Sequence, residues 1–236
     1  MVDLHCHILP GLDDGPKTLK ESLAMCRAAA ADGIHTIVAT PHRGNFVADT
    51  TAKQVLAGIK KLKKALTKHK IKIDILPGHE IHISKDLVQD VEKGVALTIN
   101  NKKKYILLEL PFHSVPFYVF DVIARLKEKG ITPIIAHPER NTQIQADKRV
   151  MKRLVKAGAS AQITGDSLTG KFGPAARRSA ANLLKSGLAS IIASDSHSPA
   201  RPPALSEAIT EATKIVGEKK TRALVESNAA EIIKEE

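Results

Sequence analysis

The sequence predicts an α/β protein built from parallel β-α units, because short β-branched runs alternate along the chain with longer helical patterns. About seven such units within 236 residues favour a small or distorted (β/α) barrel, and an open doubly wound sheet is the alternative. No low-complexity tract, internal repeat or linker rich in Pro, Gly and Ser interrupts the pattern. We therefore expect residues 1–236 to form a single domain.

Each element is predicted from a local signal. Apolar or β-branched runs predict strands at 2–7, 35–39, 72–76, 105–110, 132–136, 159–164 and 190–193. Patterns with helical periodicity predict helices at 19–31, 52–68, 117–129, 148–156, 175–185 and 205–216. Several helices are followed by a glycine just before the next strand, as is typical of a left-handed C-cap: Gly33, Gly130, Gly158 and Gly187.

The composition is that of an ordinary globular protein, with 43% hydrophobic and 26% charged residues. The N-terminus has no basic leader followed by an apolar run, so we expect no secretory signal. No stretch approaches the ~18 apolar residues that a membrane span needs, so we expect no membrane insertion. Only two cysteines occur, Cys6 and Cys26, which argues against a disulfide framework and favours a reducing cytoplasm.

The charge balance is basic, with 36 Lys and Arg against 25 Asp and Glu and a formal net charge of +11. Lysines concentrate near residues 60–72 and 102–104, which indicates either a polyanionic partner or a solvated helix face. Leu62, Ala65 and Leu66 recur among the lysines at helical spacing and favour the helix face. With no Trp, two Tyr and five Phe, the chain has little material for base stacking, so nucleic-acid binding is not favoured.

Histidines or carboxylates follow nearly every predicted strand. In chain order they are His5 and His7 with Asp13 and Asp14, His42, His79 and Glu80, Glu109, His137 with Glu139, and Asp195 with His197. A barrel brings the carboxyl ends of its strands to one face, which is where active sites of this architecture lie. Each histidine alone is a weak signal, but their joint placement predicts one shared site.

The spacing of these residues favours metal binding. His5 and His7 are two apart on a strand and therefore point to the same side, so that two imidazoles can bind one ion; Asp195 and His197 repeat the spacing. Imidazoles with carboxylates suit Mn²⁺, Fe²⁺ or Zn²⁺, and the scarcity of thiols argues against a closed structural zinc site. Glu109 ends an apolar run, where a carboxylate is costly to bury unless it is paired or metal-bound.

Other histidines and the cysteine receive different interpretations. His79 alternates with Glu80, so we expect it to point away from the site. Cys6, between two histidines, is expected to be a small buried apolar residue. Four histidines lack the placement at strand ends or fit it poorly: His35, His69, His82 and His113.

Two arginines close to the candidate ligands indicate phosphate chemistry. Arg140 follows His137 by three residues, and Arg201 follows His197 by four. Guanidinium groups beside a cluster of cations bind anions strongly, and their planar forks match phosphate oxygens. A bridged metal pair with an arginine supplies what phosphoester hydrolysis requires. Arg43 is either a further phosphate contact or a surface residue.

Two other phosphate-handling mechanisms can be tested on the sequence. Cysteine-based phosphatases need C-x₅-R, but Leu12 stands six residues after Cys6 and Asp32 six after Cys26, which excludes that mechanism. Residues 165–171 imitate a phosphate-binding P-loop, but Phe172 stands where the Mg²⁺-binding hydroxyl is needed. Nucleotide binding there is not favoured.

Motifs along essentially the whole chain resemble a known family. In order they are DLHCHILPGLDDGPK, ATPHR, PGHEIHI, ILLELP, IIAHPER and IIASDSH followed by RPP. The chain resembles the bacterial tyrosine-protein phosphatases of the PHP superfamily, CpsB/YwqE type. The resemblance implies a distorted (β/α)7 TIM-like barrel (the PHP fold), a manganese-dependent trinuclear site and a link to capsule and exopolysaccharide synthesis.

The resemblance also implies a ligand set. One ion would be held by His5, His7, Glu80 and Asp195, a second by Glu80, Glu109 and His137, and a third by Asp14, His42 and His197. Arg140 and Arg201 would orient the phosphate, although the segment between His197 and Arg201 is one residue shorter than is usual in the family. Asp13 is expected to be a turn residue of its loop.

Our leading hypothesis is hydrolysis of phosphotyrosine on a protein by a metal-bound hydroxide, with Mn²⁺ as the first candidate ion and Fe, Zn or Mg as alternatives. By resemblance, the substrate would be the tail of a bacterial tyrosine autokinase, and the basic surface would favour such an anionic tail. The alternatives are a phosphatase of a small metabolite such as histidinol phosphate, a phosphodiesterase or nuclease, and a metal-binding regulatory module without catalysis. The intact ligand set argues against the last.

Overall fold

The structure, a computed structural model, describes residues 1–234 as parallel strands surrounded by helices. Its strands are β1 (Val2–Cys6), β2 (Thr36–Ala39), β3 (His42–Arg43), β4 (Asp74–Pro77), β5 (Glu80–His82), β6 (Tyr105–Glu109), β7 (Thr132–Ala136), β8 (Ser160–Thr164) and β9 (Ile191–Ala193). They form a three-stranded sheet of order β1-β2-β4 and a six-stranded sheet of order β3-β5-β6-β7-β8-β9. Every ladder within the two sheets is parallel.

Helices connect most of these strands. They are α1 (Leu19–Ala31), α2 (Ala52–Lys68), α3 (Leu87–Glu92), α4 (Val119–Glu128), α5 (Thr142–Ala146), α6 (Arg149–Ala157), α7 (Gly165–Thr169), α8 (Gly173–Lys185), α9 (Ser206–Val216), α10 (Glu218–Val225) and α11 (Ser227–Ile233). Short 3-10 turns lie at Ile99–Asn101 and Pro138–Arg140. Across the described residues, no helix is both long and apolar enough to cross a membrane.

The predicted α/β class with parallel strands is confirmed, and each predicted strand matches an observed one to within two residues at either end. The helices predicted at 19–31 and 52–68 have the observed bounds. All four predicted C-cap glycines adopt a positive φ. Several short elements have no prediction, namely β3, β5, α3, α5, α7, α10 and α11.

Two short interruptions, one between β2 and β3 and one between β4 and β5, separate the three-stranded sheet from the six-stranded sheet. Thr40 and Pro41 separate β2 from β3, and Gly78 and His79 separate β4 from β5. Proline cannot donate to a ladder, and Pro41 instead accepts a hydrogen bond from the backbone of Glu80 (3.2 Å). The hydrogen-bonded ladder is therefore interrupted at each break, although a new strand begins after only two residues.

The first and last strands are neighbours as well. The His7 amide donates to the Ser196 carbonyl (2.9 Å), and the Asp195 amide donates to the His5 carbonyl (2.8 Å). Cys6 and Ser196 form an isolated parallel bridge. These contacts bring the carboxyl ends of β1 and β9, with their histidines and carboxylates, side by side.

Side-chain alternation places the site at the end of a narrow apolar cluster. Leu107 of β6 and Ala193 of β9 belong to this cluster, which Ile232 of α11 also joins. Glu109 lies two residues further along β6 than Leu107 and faces the same way, and Asp195 follows the end of β9, so both carboxylates lie beyond the last apolar layer. The other face of the strands packs against the helices in the larger core.

One glycine in this framework has no room for a side chain. A Cβ on Gly78 would lie 2.9 Å from Val38 Cγ1 and 3.3 Å from Thr40 Cγ2. We expect Gly78→Ala to lower the free energy of unfolding by about 1–3 kcal/mol, because overpacking forces neighbouring side chains or backbone to shift. Urea denaturation would measure the change.

The control is Gly58→Ala, within α2, where the nearest atom to an added Cβ is Leu9 Cδ1 at 3.4 Å. This change should leave stability unaltered or raise it by up to about 1 kcal/mol, because alanine favours helix. Equal destabilisation by both substitutions would contradict the close-packing interpretation.

Candidate metal centre

His5, within β1, and His7, directly after it, point to the same side of the strand, as their spacing predicts. His5 and His7 are fully buried, and their Nε2 atoms are 3.2 Å apart. Both Nε2 atoms lie 3.3 Å from Oε2 of Glu80, which begins β5. Three donors from two distant strands thus converge on one point.

Glu80 lies at the centre of the cluster and is 1% exposed. Its Oε1 atom lies 2.7 Å from Nε2 of His137, and its Oε2 atom lies 3.1 Å from Nδ1 of His42. Neither Oε2 nor His42 Nδ1 makes a hydrogen bond to a described residue. A buried carboxylate oxygen with imidazole nitrogens around it and no hydrogen bond suits a site for cations.

Asp195 and Glu109 extend the cluster on either side. Oδ1 of Asp195 lies 3.4 Å from Nε2 of His5 and 3.6 Å from Nδ1 of His197. Oε2 of Glu109 lies 4.0 Å from Nδ1 of His42. Asp195 is almost fully buried and Glu109 is 5% exposed, so both carboxylates are removed from most water.

The structure brings all nine predicted metal ligands into this one cluster. Three groups have donor atoms within 4.8 Å of one another: His7 with Asp14, His42 and His197; His5 with His7 and Glu80; and His42 with Glu80 and Glu109. The grouping differs in detail from the predicted one. His7 joins two groups, and His137 contacts Glu80 without belonging to the group that contains Glu109.

Two residues of the cluster adopt backbone conformations that non-glycine residues rarely have. His137 follows β7 with φ of 32°, and Asp195 follows β9 with φ of 51°. Left-handed backbone is unfavourable for side chains other than glycine, and such strain concentrates at functional sites. Here it turns the chain sharply at the strand end.

The electrostatic environment keeps the carboxylates charged. Burial by itself raises the pKa of Asp195, but the positive charges of His5 and other histidines outweigh it and lower that pKa to about 2. Glu80 behaves in the same way, and its pKa falls well below the usual value. Burial, the positive charge of His7 and that of Arg201 lower the pKa of His197 to about 3, so this imidazole is neutral at pH 7. These groups have the protonation states that divalent cations require. For His5 and His7, in contrast, the effect of burial is outweighed by the neighbouring carboxylates, which raise the pKa of both, so that a bound cation would displace the protons of those two imidazoles.

Two further side chains orient the histidines. Asp13 Oδ2 lies 2.7 Å from Nδ1 of His7 and accepts the His42 backbone N–H (3.1 Å). Gln162 Oε1 lies 2.9 Å from Nδ1 of His5. Such contacts to the second ring nitrogen fix the direction in which a metal-ligating histidine points.

The role of Asp13 is therefore broader than the predicted turn. Its Oδ1 atom does accept the Gly15 N–H (2.9 Å) as a turn residue would, but its other oxygen contacts His7. Gln162 has no prediction at all. It lies 157 residues from His5, and no local pattern distinguishes it.

His82 and His113 are not expected at the site from their positions in the sequence, yet both line the cavity above the cluster. Nδ1 of His82 lies 3.1 Å from Oε2 of Glu109. A signal for His82 was present, since it follows Glu80 by two residues and shares its side of β5. His79 points away as predicted, and its Nδ1 accepts the Leu97 N–H (2.9 Å).

Arg140 and Arg201 both reach the cluster. Nη1 of Arg140 donates to Oδ2 of Asp195 (2.8 Å), and Nη2 of Arg201 lies 3.7 Å from the same oxygen. Phe172 contacts both guanidinium groups, at 4.4 and 5.2 Å from its ring centroid. The residue that breaks the P-loop pattern is thus a platform for two arginines.

Arg43 lies elsewhere and is neither a phosphate contact nor a surface residue. It is 7% exposed, its Nη2 donates to Asp90 (2.8 Å), and its Nη1 donates to Asp49 (3.1 Å) and to the Thr50 carbonyl (2.9 Å). These contacts hold the loop after β3.

A cavity of about 630 Å³ opens above the cluster. Its lining combines seven of the nine candidate ligands, all except His5 and His7, and both arginines with an apolar set of side chains: Phe46, Val47, Leu110, Pro111 and Phe112. A site of this size accommodates a small substrate group rather than an ion alone.

Comparison with known proteins agrees with this arrangement. The profile of the family described as "Capsular polysaccharide synthesis, CpsB/CapC" matches residues 1–234. The chain belongs to the CpsB/CapC family. The sequence-based resemblance to this type of protein is therefore confirmed.

Individual CpsB/CapC relatives are similar over most of their length. The tyrosine-protein phosphatase YwqE of Bacillus subtilis is 42% identical over 197 residues, which are 84% of this chain and 77% of YwqE. CapC of Staphylococcus aureus is 34% identical over 203 residues, which are 86% of this chain and 79% of CapC. A solved structure also superposes on this chain, with a TM-score of 0.94 at 38% identity. It belongs to a set of crystal structures of YwqE from B. subtilis and CpsB from Streptococcus pneumoniae, described as "unique metal-dependent tyrosine phosphatases". The match covers 99% of this chain and 94% of that one.

The contact between Asp13 and His7 predicts that Asp13 contributes to the metal affinity of the site. Asp13→Asn removes the negative charge next to Nδ1 of His7 while it keeps the size of the side chain. We expect Mn²⁺ affinity to fall about 10-fold or more, because an orienting carboxylate raises the basicity of a ligating imidazole. Competition with a fluorescent chelator would measure the affinity.

Asp86→Asn provides the matched control, because Asp86 is exposed and caps no helix through its side chain. It should leave Mn²⁺ affinity unaltered. Affinity of the Asp13 variant equal to that of the control would contradict the orienting role.

Proposed function

We propose that this chain is a metal-dependent protein-tyrosine phosphatase that acts in the regulation of capsule or exopolysaccharide synthesis. The observation that carries the proposal is the convergence of nine side chains with nitrogen or oxygen donors in one cluster, which lies with two arginines at the base of a cavity. Membership of the CpsB/CapC family and the name of YwqE support the reaction and the substrate class.

The residues that would hold the ions are the nine predicted ligands: His5, His7, Asp14, His42, Glu80, Glu109, His137, Asp195 and His197. Mixed imidazole and carboxylate donors suit Mn²⁺ as the first candidate, with Fe, Zn or Mg as alternatives. When bound, such ions neutralise charge on phosphate oxygens and activate a water at neutral pH.

The side chains of Arg140 and Arg201 would bind the phosphate. Arg140 is held from two directions, since its guanidinium stacks on Phe172 and donates to Asp195. Its remaining N–H groups are then available for a phosphate oxygen in a fixed orientation. Asp195 thus has two roles, because Oδ1 faces the imidazoles while Oδ2 faces the arginines.

A tyrosine leaving group explains why the site needs no dedicated acid. Phenol has a pKa near 10, well below that of an aliphatic alcohol, so its oxygen leaves more readily without a proton. The histidines and carboxylates of the cluster are then free to bind ions. The basic surface of the chain favours anionic phosphoproteins over neutral substrates.

The architecture and setting belong to the same proposal. We propose that residues 1–236 form one domain, a distorted (β/α)7 barrel, supported by the contacts between β1 and β9 and by the continuity of β2 with β3. The proposed substrate is the tail of a bacterial tyrosine autokinase in the cytoplasm. Two unpaired, buried cysteines are compatible with that reducing compartment.

A substrate panel tests the proposed function. With Mn²⁺, we expect hydrolysis of a phosphotyrosyl peptide to exceed that of histidinol phosphate and of single-stranded DNA by about 10-fold or more in kcat/KM. EDTA should abolish the activity and Mn²⁺ should restore it, because the donors need a cation. Preference for histidinol phosphate or DNA would replace the proposed substrate.

Glu80→Gln is the matched inactive variant, because it removes the central charge and keeps the shape of the side chain. We expect kcat to fall by about 10³ or more, as for the loss of several kcal/mol of charge stabilisation. A thermal melt would verify folding. Turnover near the wild-type rate would refute the metal centre as the site of catalysis.

Alkylation separates this mechanism from a cysteine-based one. Burial raises the pKa of the Cys6 thiol well above its ordinary value and that of Cys26 to about 12, and both side chains are inaccessible. We therefore expect iodoacetamide at pH 8 to leave phosphatase turnover unaltered, since only the thiolate reacts.

Mass spectrometry after treatment in urea would serve as the control, because the unfolded chain should be alkylated at both cysteines. Rapid loss of activity in the folded protein, with a single modified cysteine, would contradict the prediction.

A further inference from the structure

The loop that follows β3, residues 44–49, carries an aromatic side chain that contributes almost nothing to the core. Phe46 exposes 97% of its surface, more than any other large hydrophobic residue within 1–234. It lies at the cavity above the metal centre. A phenylalanine ring normally buries a large area, and with Val47 and Phe112, which are also exposed at this cavity, Phe46 forms an apolar patch of the kind found at binding sites.

Hydrogen bonds hold the loop in place although its ring is free. Oδ1 of Asn45 accepts the backbone N–H groups of Val47 (2.9 Å) and Ala48 (3.0 Å). The Gly44 N–H donates to Oδ1 of Asp49 (3.1 Å) at the other end. The backbone that carries Phe46 is therefore organised before any ligand arrives, which reduces the entropy lost on binding.

The same loop contacts the metal centre. Nδ2 of Asn45 donates to Oε2 of Glu109 (3.2 Å), so the residue next to Phe46 touches a candidate ligand. A group bound to the centre would consequently lie close to the aromatic ring. The loop therefore links two parts of the cavity: the polar floor, formed by the candidate ligands and the arginines, and the apolar rim, which includes Phe46.

A second aromatic residue lines the cavity. Phe112 is 38% exposed, its ring stacks on His137 with centroids 5.7 Å apart, and the Arg140 guanidinium lies 4.8 Å from its centroid. Leu110 and Pro111 add apolar surface beside it. A cavity of about 630 Å³ has room for a phosphoryl group on the floor and an aromatic ring at the rim.

We propose that Phe46 and Phe112 form an aryl subsite, which binds the ring of a phosphate ester of a phenol and discriminates against alkyl phosphates. The role of this subsite in catalysis rests on the proposed function. Its binding of an aryl group does not depend on that function. Aromatic contact beyond simple burial is expected to strengthen binding about 3- to 10-fold. A short alkyl ester does not reach the two phenylalanine rings, so they add nothing to its binding affinity.

Fluorescence tests the subsite directly, because the chain contains no tryptophan. In Phe46→Trp, the introduced indole is the only one and reports on the rim. With the metal-replete protein, we expect phenylphosphonate to produce a saturable change in emission. Ethylphosphonate and inorganic phosphate should displace phenylphosphonate without producing that change themselves. An equal change with ethylphosphonate, or no change with phenylphosphonate, would overturn the proposal.

Kinetics supply a second test. Phe46→Ala should raise KM for a phosphotyrosyl peptide about 3- to 10-fold, while kcat and the inhibition constant of inorganic phosphate stay within about 2-fold. Phe117→Ala is the matched control, since Phe117 is 87% exposed but does not line the cavity. An unaltered KM in the Phe46 variant, or the same rise in both variants, would refute the subsite.

The two proposals fail in different ways. If the wild-type chain does not hydrolyse the phosphotyrosyl peptide and the indole still responds to phenylphosphonate alone, the proposed function fails and the aryl subsite stands. If the peptide is hydrolysed and the indole does not distinguish aryl from ethyl ligands, the function stands and the subsite is wrong.

Discussion

A carboxylate buried among imidazoles is the constraint on which the rest of this structure depends. Glu80 is almost completely removed from water, and His5, His7, His42 and His137 surround its two oxygens within 3.3 Å. An isolated buried charge is very costly, so such a group persists only where positive charge or a cation compensates it. The four imidazoles come from three segments that are distant along the chain: the end of β1, the start of β3 and the end of β7. Satisfying Glu80 therefore requires those segments to meet.

The fold meets this requirement with local irregularities. Strand lines are interrupted near Pro41 and Gly78, and the chain turns through left-handed backbone at His137 and Asp195. Such features cost free energy where they occur and persist only when the surrounding structure enforces them. Here they lie at the carboxyl ends of strands, where a parallel α/β architecture places its active site.

The cavity divides by chemistry into a floor and a rim. The floor holds ionic donors, with Asp195 directed to the histidines through one oxygen and to Arg140 through the other. The rim is apolar and includes Phe46 and Phe112. A phosphate ester of a phenol combines the same two properties, because a dianion and an aromatic ring are joined by one oxygen. This complementarity connects membership of the CpsB/CapC family to a physical basis for substrate choice.

The sequence by itself determined the fold class, the main strands and the candidate ligands. Strands and helices follow from periodicities that a few adjacent residues carry, and nearly every predicted strand is followed by a histidine or carboxylate that is visible in the sequence. Only the tertiary structure decided which donors are neighbours, that Gln162 and Asp13 orient His5 and His7, and that Phe172 supports two arginines. It also revealed β3 and β5, which are too short for a periodic signal. The physical reason is that periodicity is local, whereas contacts between side chains 157 residues apart depend on strand register and backbone turns.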